Sequence, residues 1–276
     1  MARPLRPLVP DGIYHVFNRG NALQPIFARE DQRLEFLRIL ARVRERCEWN
    51  CLSYCLMGNH YHLVVRTPVP NLPDGMRELG SSYAQRFNRG RERPGPVFEG
   101  RYKAKLIQSD AHYIVTLRYL ALNPVAHGFC DCPEAWRWSG HAELAGLAEP
   151  GIVDVREALA LVDDEPERAR SIYLAHIADR AGLVAPEALG GIIVGDRHFA
   201  TAALVKAAQS PEMPLAQRLA DRPPLGELFA GDRDEALLAA YVEFGYTQRE
   251  ISEHLGCHYS TASRWIRDAR MRQRKT

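Results

Sequence analysis

The amino-acid sequence predicts an α+β fold, in which an antiparallel sheet with helices is followed by an all-helical C-terminal region. Between residues 13 and 123, short β-branched and aromatic runs alternate with amphipathic helical runs. Their order, strand–helix–strand–strand–helix–strand–helix, is that of a ferredoxin-like (split βαβ) sheet with one extra helix. Beyond residue 141 the chain is rich in Ala, Leu and Glu and helical in character.

Turn residues separate the first four elements. Residues 13–18 (IYHVFN) predict a strand that stops at an Arg-Gly-Asn turn, and leucines at helical spacing predict a helix over residues 31–48. Two strand-like runs, residues 49–57 and 60–66, flank a Gly-Asn dipeptide and predict a hairpin.

The next three elements complete the predicted sheet. Residues 72–88 predict a second helix, which is followed by a loop rich in Gly, Pro and Arg, and residues 100–108 predict the fourth strand. A further helix is expected to end near Asn123, because Pro124 disfavours helical geometry in the residue before it.

The net charge of +2 conceals an uneven distribution. Residues 1–140 hold 20 Lys and Arg against 13 Asp and Glu, residues 141–245 hold 9 against 18, and residues 246–276 hold 7 against 3. Basic ends favour a polyanionic partner, with solvated surface charge as the alternative. We expect three parts: an α+β domain over 1–140, an acidic helical middle with a linker over 141–232, and a basic helical unit over 233–276.

Composition also bears on the compartment. The six cysteines form no CxxC pair, which favours reduced thiols in the cytoplasm. No segment has the roughly 18 apolar residues that cross a bilayer, and the first residues lack the apolar core of a secretory signal. We therefore expect no membrane partner.

A His-x-His pair is the sharpest chemical feature. His60 and His62 are two positions apart on a predicted strand, so they share a face at a spacing of roughly 6.7 Å along the chain. Two imidazoles at this spacing can converge on one divalent ion. The alternative is a histidine pair on a polar sheet face.

The helix after the last strand offers two tyrosines. At 100° per residue, Tyr119 and Asn123 lie on one polar stripe with Thr116, while Tyr113 lies on the apolar stripe. Tyr119 therefore suits a nucleophile in a polar cleft, and Tyr113 suits the core. An ordinary surface tyrosine is the alternative for Tyr119.

Cations and aromatic residues alternate before and within the fourth strand. Cations two positions apart on a strand are spaced like a phosphate backbone, and neighbouring aromatic rings can stack on unpaired bases. A solvated edge strand is the alternative. The candidate DNA-binding residues here are Arg86, Arg89, Arg91, Arg93, Arg101, Lys103 and Lys105.

The C-terminal unit has the pattern of a helix-turn-helix. Residues 247–250 form an S/T-x-x-E capping box, and Gly256 lies where the tight turn is required. A second helix over residues 259–270 would enter a major groove, with outward-facing Ser260, Thr261, Ser263, Arg264 and Arg267. The expected buried positions are Ile251, Leu255, Cys257, Ala262 and Trp265. A plain three-helix bundle is the alternative.

Four segments together resemble the HUH-type single-tyrosine transposases, most closely their REP-associated tyrosine transposase branch. They are YHVFNRG at 14–20, YCLMGNHYHLVV at 54–65, VFEGRYKAKLI at 97–107 and RYLALNPVAHG at 118–128. The resemblance spans roughly residues 10–140, and the C-terminal unit extends it.

The resemblance implies an activity on DNA and the residues that would carry it out. His60 and His62 would hold Mg²⁺ or Mn²⁺, Asn123 would stand where relatives commonly have a Gln ligand, and Tyr119 would be the nucleophile. The implied activity is cleavage and rejoining of single-stranded DNA beside hairpins through a 5′-phosphotyrosine. The C-terminal unit would bind duplex DNA. A homodimer is possible.

Two other functions remain to be distinguished. One is a non-catalytic DNA-binding regulator derived from a transposase, which would have no chemical need of His60, His62 and Tyr119. The other is an RNA-binding ferredoxin-like module, which would need paired aromatic residues on its central strands.

Overall fold

A computed structural model describes residues 7–89, 94–108, 111–179, 193–194, 199, 223–244, 246 and 248–273. The chain forms two compact units, one over Leu8–Ala188 and the other over Met1–Pro7 and Leu189–Thr276. No helix within the described ranges is both long and apolar enough to cross a membrane.

The first unit contains the predicted ferredoxin-like sheet. Its strands lie in the order β2-β3-β1-β4, and every neighbouring pair is antiparallel. This order confirms the α+β class that the element sequence predicts. The elements are β1 (Gly12–Arg19), α1 (Glu30–Cys47), β2 (Asn50–Leu56), β3 (His60–Thr67), α2 (Leu72–Asn88), β4 (Lys103–Ile107) and α3 (Ala111–Ala126).

Helices α1 and α2 cover one face of the sheet with an aromatic core. The Phe36 ring lies 4.8 Å from Tyr61 of β3 and 5.2 Å from Tyr83 of α2, measured between ring centroids. All three side chains are almost fully buried. Large rings packed at these separations bury much apolar surface and hold both helices to this face.

Helix α3 packs on the opposite face, and three helices from the acidic middle of the chain lie beside α3 and along the edge strand β2. These are α4 (His141–Leu144), α5 (Val155–Ala160) and α6 (Pro166–Ala178). The Tyr113 hydroxyl of α3 donates a hydrogen bond to the Ala158 carbonyl of α5 at 3.0 Å. The Asp154 carboxylate before α5 accepts a hydrogen bond from the Cys51 amide of β2 at 2.8 Å. Residues 141–179 therefore pack onto the sheet unit.

Two predicted boundaries differ from the structure. Helix α3 continues through Pro124 to Ala126. Pro124 has no amide to donate, but the amides that follow the helix still find backbone acceptors. The His127 amide donates to the Asn123 carbonyl at 3.1 Å, and Gly128 ends the turn with a φ of +71°. The fourth strand is shorter than predicted and begins only at Lys103.

The second unit holds the predicted C-terminal helices. They are α7 (Leu225–Leu228), α8 (Arg233–Leu238), a π-helical turn (Ala239–Glu243), α9 (Gln248–His254) and α10 (Tyr259–Gln273), and β5 (Ile193–Val194) precedes them. Gly256 has a φ of +61°, which is the left-handed turn expected between α9 and α10. Thr247 and most of the predicted linker lie outside the described residues.

The core of this unit partly differs from the prediction. Ile251 and Ala262 are buried as expected. Trp265 was expected in the core but is half-buried, and its neighbour Ile266 is buried instead. The Arg233 guanidinium lies 4.0 Å from the centroid of the Trp265 ring, so the exposed part of the indole stacks on a cation.

Candidate active site

Two histidines of β3 lie on the sheet face that α3 covers. The ring centroids of His60 and His62 are 5.0 Å apart and the rings are nearly perpendicular. Tyr61 between them packs on the opposite face, against the α1–α2 core. This is the alternation that a strand imposes. His62 is buried and His60 is half-buried, so solvent reaches the pair from the side of His60.

A hydrogen bond from the hairpin turn orients His60. The Asn59 Nδ2 donates to the Leu23 carbonyl at 3.4 Å, which turns the Asn59 Oδ1 towards the Nδ1 of His60 at 2.8 Å. Because an amide oxygen only accepts, Nδ1 of His60 carries the proton and Nε2 keeps its lone pair. Metal-binding histidines are oriented in this way by their second ring nitrogen.

Helix α3 places one of its two tyrosines beside the histidines. The Tyr119 ring stands edge-on to His62 at 5.5 Å and to His15 at 6.2 Å, between centroids. Tyr119 is half-buried. Tyr113 is fully buried on the other side of the helix, and this burial raises the pKa of its phenol well above that of a free tyrosine. Tyr119 is thus the tyrosine of α3 that reaches the histidine face.

Asn123, one turn after Tyr119, presents an unsatisfied amide. Its side chain is only 1% exposed. Within the described residues neither its Oδ1 nor its Nδ2 has a hydrogen-bond partner. A buried amide without a partner costs free energy, so such groups in native proteins generally serve a ligand, water or ion. Its backbone carbonyl accepts from the His127 ring at 2.9 Å.

The donor set is compatible with a divalent ion. Two imidazoles and an amide oxygen supply ligand types that such ions accept, and the orphaned Asn123 amide would gain a partner. Within the described ranges, no group of three or more His, Cys, Asp and Glu side chains is placed to hold a metal. A metal at this site would therefore depend on the amide in addition to His60 and His62.

The candidate DNA-binding residues of α10 are partly described. Arg264 is exposed, and Thr261 and Ser263 are half-buried. The side chains of Ser260 and Arg267 lie outside the described part of the chain. Arg264 therefore lies on the surface of the helix that sequence analysis assigns to the major groove.

Comparison with protein families shows which known domains the two units are similar to. Residues 9–123 match the model described as transposase IS200 like, a range that contains both histidines of β3, Tyr119 and Asn123. Residues 9–123 are therefore similar to the IS200-like transposases. Residues 235–271 match the model of a homeodomain-like domain, which includes α9 and α10. The chain thus contains one segment that is similar to transposases and a second that is similar to homeodomain-like domains.

Known structures and curated proteins add the following. A solved structure entitled "Structure of the REP associates tyrosine transposase bound to a REP hairpin" is 17% identical to this chain, with a TM-score of 0.47. The similarity covers 56% of this chain and 93% of the other. A search of curated proteins found no significant match.

The first unit contains a further histidine that sequence reasoning missed. His15 of β1 is buried, and its Nε2 lies 3.0 Å from the Nδ1 of His62. Strand register brings it there, since His62 pairs with Phe17 and His15 lies two positions along β1 on the same face. The only local signal is a polar residue at an inward position of the strand, which by itself indicates no site.

Two lysines of the first unit share the histidine face. In β4, Lys105 pairs with His15 and Lys103 pairs with Phe17, so both follow the parity of the histidines. Lys105 is only 7% exposed, whereas the Lys103 ammonium lies 5.9 Å from the centroid of the Phe17 ring. Arg101 is exposed and precedes the strand. The sheet face that carries the histidines is therefore positively charged, which favours binding of a phosphate group.

The predicted arginines after α2 lie elsewhere. The Arg86 guanidinium contacts the Glu35 carboxylate of α1 at 3.3 Å, which ties it to the helices on the opposite face of the sheet. Arg89 is exposed where α2 ends. Arg91 and Arg93 lie outside the described residues. The structure brings Lys103 and Lys105, but not Arg86, to the face of the histidines.

Proposed function

We propose that the transposase domain cleaves and rejoins single-stranded DNA beside REP-like hairpins through a 5′-phosphotyrosine at Tyr119, with Mg²⁺ or Mn²⁺ as cofactor. The main support is the packing of a half-exposed Tyr119 against His62 at 5.5 Å, with His60 next to it. A phenol placed against the His62 imidazole, with the His60 ring beside His62, combines a nucleophile with candidate metal ligands.

Tyr119 carries the covalent step in this proposal. Its phenolic oxygen bonds to phosphorus as the phosphorus–O3′ bond breaks, so the phenol loses its proton and the departing 3′ oxygen gains one. The products are a 5′-phosphotyrosine and a 3′-hydroxyl. Because one phosphoester bond replaces another, a second 3′-hydroxyl can attack the adduct and join two strands.

The remaining side chains prepare the site. His60, His62 and Asn123 would hold the ion, which when bound would polarise the phosphate and offset charge that develops in the transition state. Asn59 keeps His60 in the tautomer with an available Nε2 lone pair. Lys103 and Lys105 add positive charge on the same sheet face and favour binding of the phosphodiester.

The second unit would bring the domain to its target. We assign duplex or hairpin DNA binding to residues 233–276, with the exposed Arg264 of α10 as a candidate base-reading side chain. Residues 1–140 would then carry out the chemistry.

A covalent trapping assay tests this function against that of a non-catalytic regulator. Purified full-length chain is incubated with Mn²⁺ and 5′- or 3′-labelled oligonucleotides that hold a hairpin with single-stranded flanks. The proposal expects a protein–DNA adduct that carries the 3′-side fragment, together with a free fragment ending in a 3′-hydroxyl. A fully paired duplex of the same sequence is the control. Tight hairpin binding without adduct or cleavage would support the regulator instead.

A further inference from the structure

We propose that His15 is a positioning residue, which fixes the tautomer of His62 and so keeps the Nε2 of His62 available to a metal. This inference rests on the proposed metal-dependent function and extends it to a residue outside the ligand set. It follows from the contact between two buried rings on neighbouring strands.

The contact is specific in distance and orientation. The Nε2 of His15 lies 3.0 Å from the Nδ1 of His62, the ring centroids are 5.2 Å apart, and the ring planes differ by 25°. The two rings therefore meet edge to edge, as an in-plane hydrogen bond requires. His15 is 1% exposed and His62 is 3% exposed, so bulk water does not compete for the hydrogen bond between the two rings. A hydrogen bond in such an environment is stronger than one in water.

The proton in this hydrogen bond decides whether His62 can bind a metal. If Nδ1 of His62 donates to Nε2 of His15, then the Nε2 of His62 keeps its lone pair. If His15 donates instead, the neutral His62 ring carries its proton on Nε2 and cannot use that atom as a ligand. The proposal assigns the first arrangement, in which His15 acts as the acceptor.

The fold holds His15 firmly enough to act in this way. Strand β1 lies between β3 and β4 and pairs with both, so its backbone is fixed on each side. The Phe17 ring lies 5.2 Å from the His15 ring and 5.9 Å from the His62 ring, and thus packs against both partners. A supporting residue on a paired central strand orients a ligand more exactly than one on a loop.

Two substitutions separate the hydrogen bond from the packing of the ring. His15→Gln keeps a side-chain oxygen that can accept from the Nδ1 of His62, whereas His15→Phe keeps an aromatic ring and removes the acceptor. The binding of Mn²⁺ alone to each full-length protein is measured by titration calorimetry. When a ligating histidine loses the side chain that accepts its ring N–H, metal affinity typically falls about 10–100-fold. We therefore expect a fall of this size in Mn²⁺ affinity for His15→Phe and an affinity near wild type for His15→Gln.

His141→Phe serves as a matched control. His141 is also buried in the same unit, with its Nδ1 2.8 Å from the Tyr173 hydroxyl, yet it lies outside the histidine face. The same change there should lower stability without weakening Mn²⁺ binding by the folded protein. Equal Mn²⁺ affinity for wild type and His15→Phe would overturn the role of His15 and leave the proposed metal site intact. Absence of Mn²⁺ binding by the wild type would overturn both.

A second measurement does not require the variants to fold. Nitrogen-15 NMR of the histidine side chains in the metal-free wild-type protein distinguishes a protonated Nδ1 from a protonated Nε2. The inference expects the Nδ1-protonated tautomer for His62. An Nε2-protonated His62 that donates nothing to His15 would refute it.

Discussion

The two tyrosines of α3 offer a matched pair of substitutions, since Tyr113→Phe and Tyr119→Phe each remove one oxygen from the same helix. Tyr119 faces the histidines and is half-buried, whereas Tyr113 is fully buried and donates to the Ala158 carbonyl at 3.0 Å. We expect the activity to be lost only from Tyr119→Phe. The stability should fall mainly in Tyr113→Phe.

The expected stability changes follow from these contacts. Loss of the Tyr113 hydroxyl leaves the buried Ala158 carbonyl without this donor, which should cost about 1–3 kcal/mol. For a unit of this size each kcal/mol lowers the melting temperature by about 2–4 °C. Tyr119→Phe preserves the ring that packs on His62, so its stability should remain within about 0.5 kcal/mol of wild type. The variant with the stability loss is therefore not the variant with the activity loss.

Mass spectrometry of a trapped adduct locates the nucleophile. Each protein is incubated with a labelled hairpin oligonucleotide and Mn²⁺, the covalent complex is digested, and the modified peptide is sequenced. Wild type and Tyr113→Phe should give a phosphotyrosine at Tyr119, and Tyr119→Phe should give no adduct while still binding the hairpin. A phosphotyrosine at Tyr113, or an adduct formed by Tyr119→Phe, would show that the assignment from α3 is wrong.

Three further predictions concern the metal, the amide and the C-terminal unit. Cleavage should require Mg²⁺ or Mn²⁺ and be lost in His60→Ala and His62→Ala, and full activity in EDTA would contradict a metal role. Asn123→Ala should weaken Mn²⁺ binding but stabilise the metal-free fold or leave it unchanged, because its buried amide has no partner among the described residues; a large loss of thermal stability would indicate a structural amide. Deletion of residues 233–276 should weaken hairpin or duplex affinity, measured by fluorescence anisotropy, and retain metal-dependent cleavage of short unpaired strands. Arg264→Ala should relax sequence preference by about 1–3 kcal/mol if it contacts a base, so unchanged preference would exclude that contact.

Local sequence patterns were sufficient for the order of elements in the first unit. Alternation placed His60 and His62 on one face of β3 and Tyr61 on the other, because a strand repeats every two residues. Helical periodicity likewise separated Tyr119 from Tyr113 on α3. These features depend on residues that are close together in sequence.

Other boundaries depended on the surroundings of each residue. The rule for residues before proline predicted an end of α3 at Asn123, yet the helix continues for three more residues with its later amides bonded. Trp265 was predicted in the core of the C-terminal unit because it falls at a buried position of the helix-turn-helix pattern. In the structure Trp265 is half-buried and contacts Arg233, and its neighbour Ile266 is buried instead.

By itself, the sequence determined the α+β class, the shared face of His60 and His62 and the polar stripe of Tyr119. Only the tertiary structure decided which distant residues join them. His15 is 47 positions from His62 and meets it through the pairing of β1 with β3, while β4 adds Lys105 to the same face. The physical reason is that strand and helix periodicity fixes where neighbouring side chains point, whereas the register between strands is set by the packing of the whole sheet.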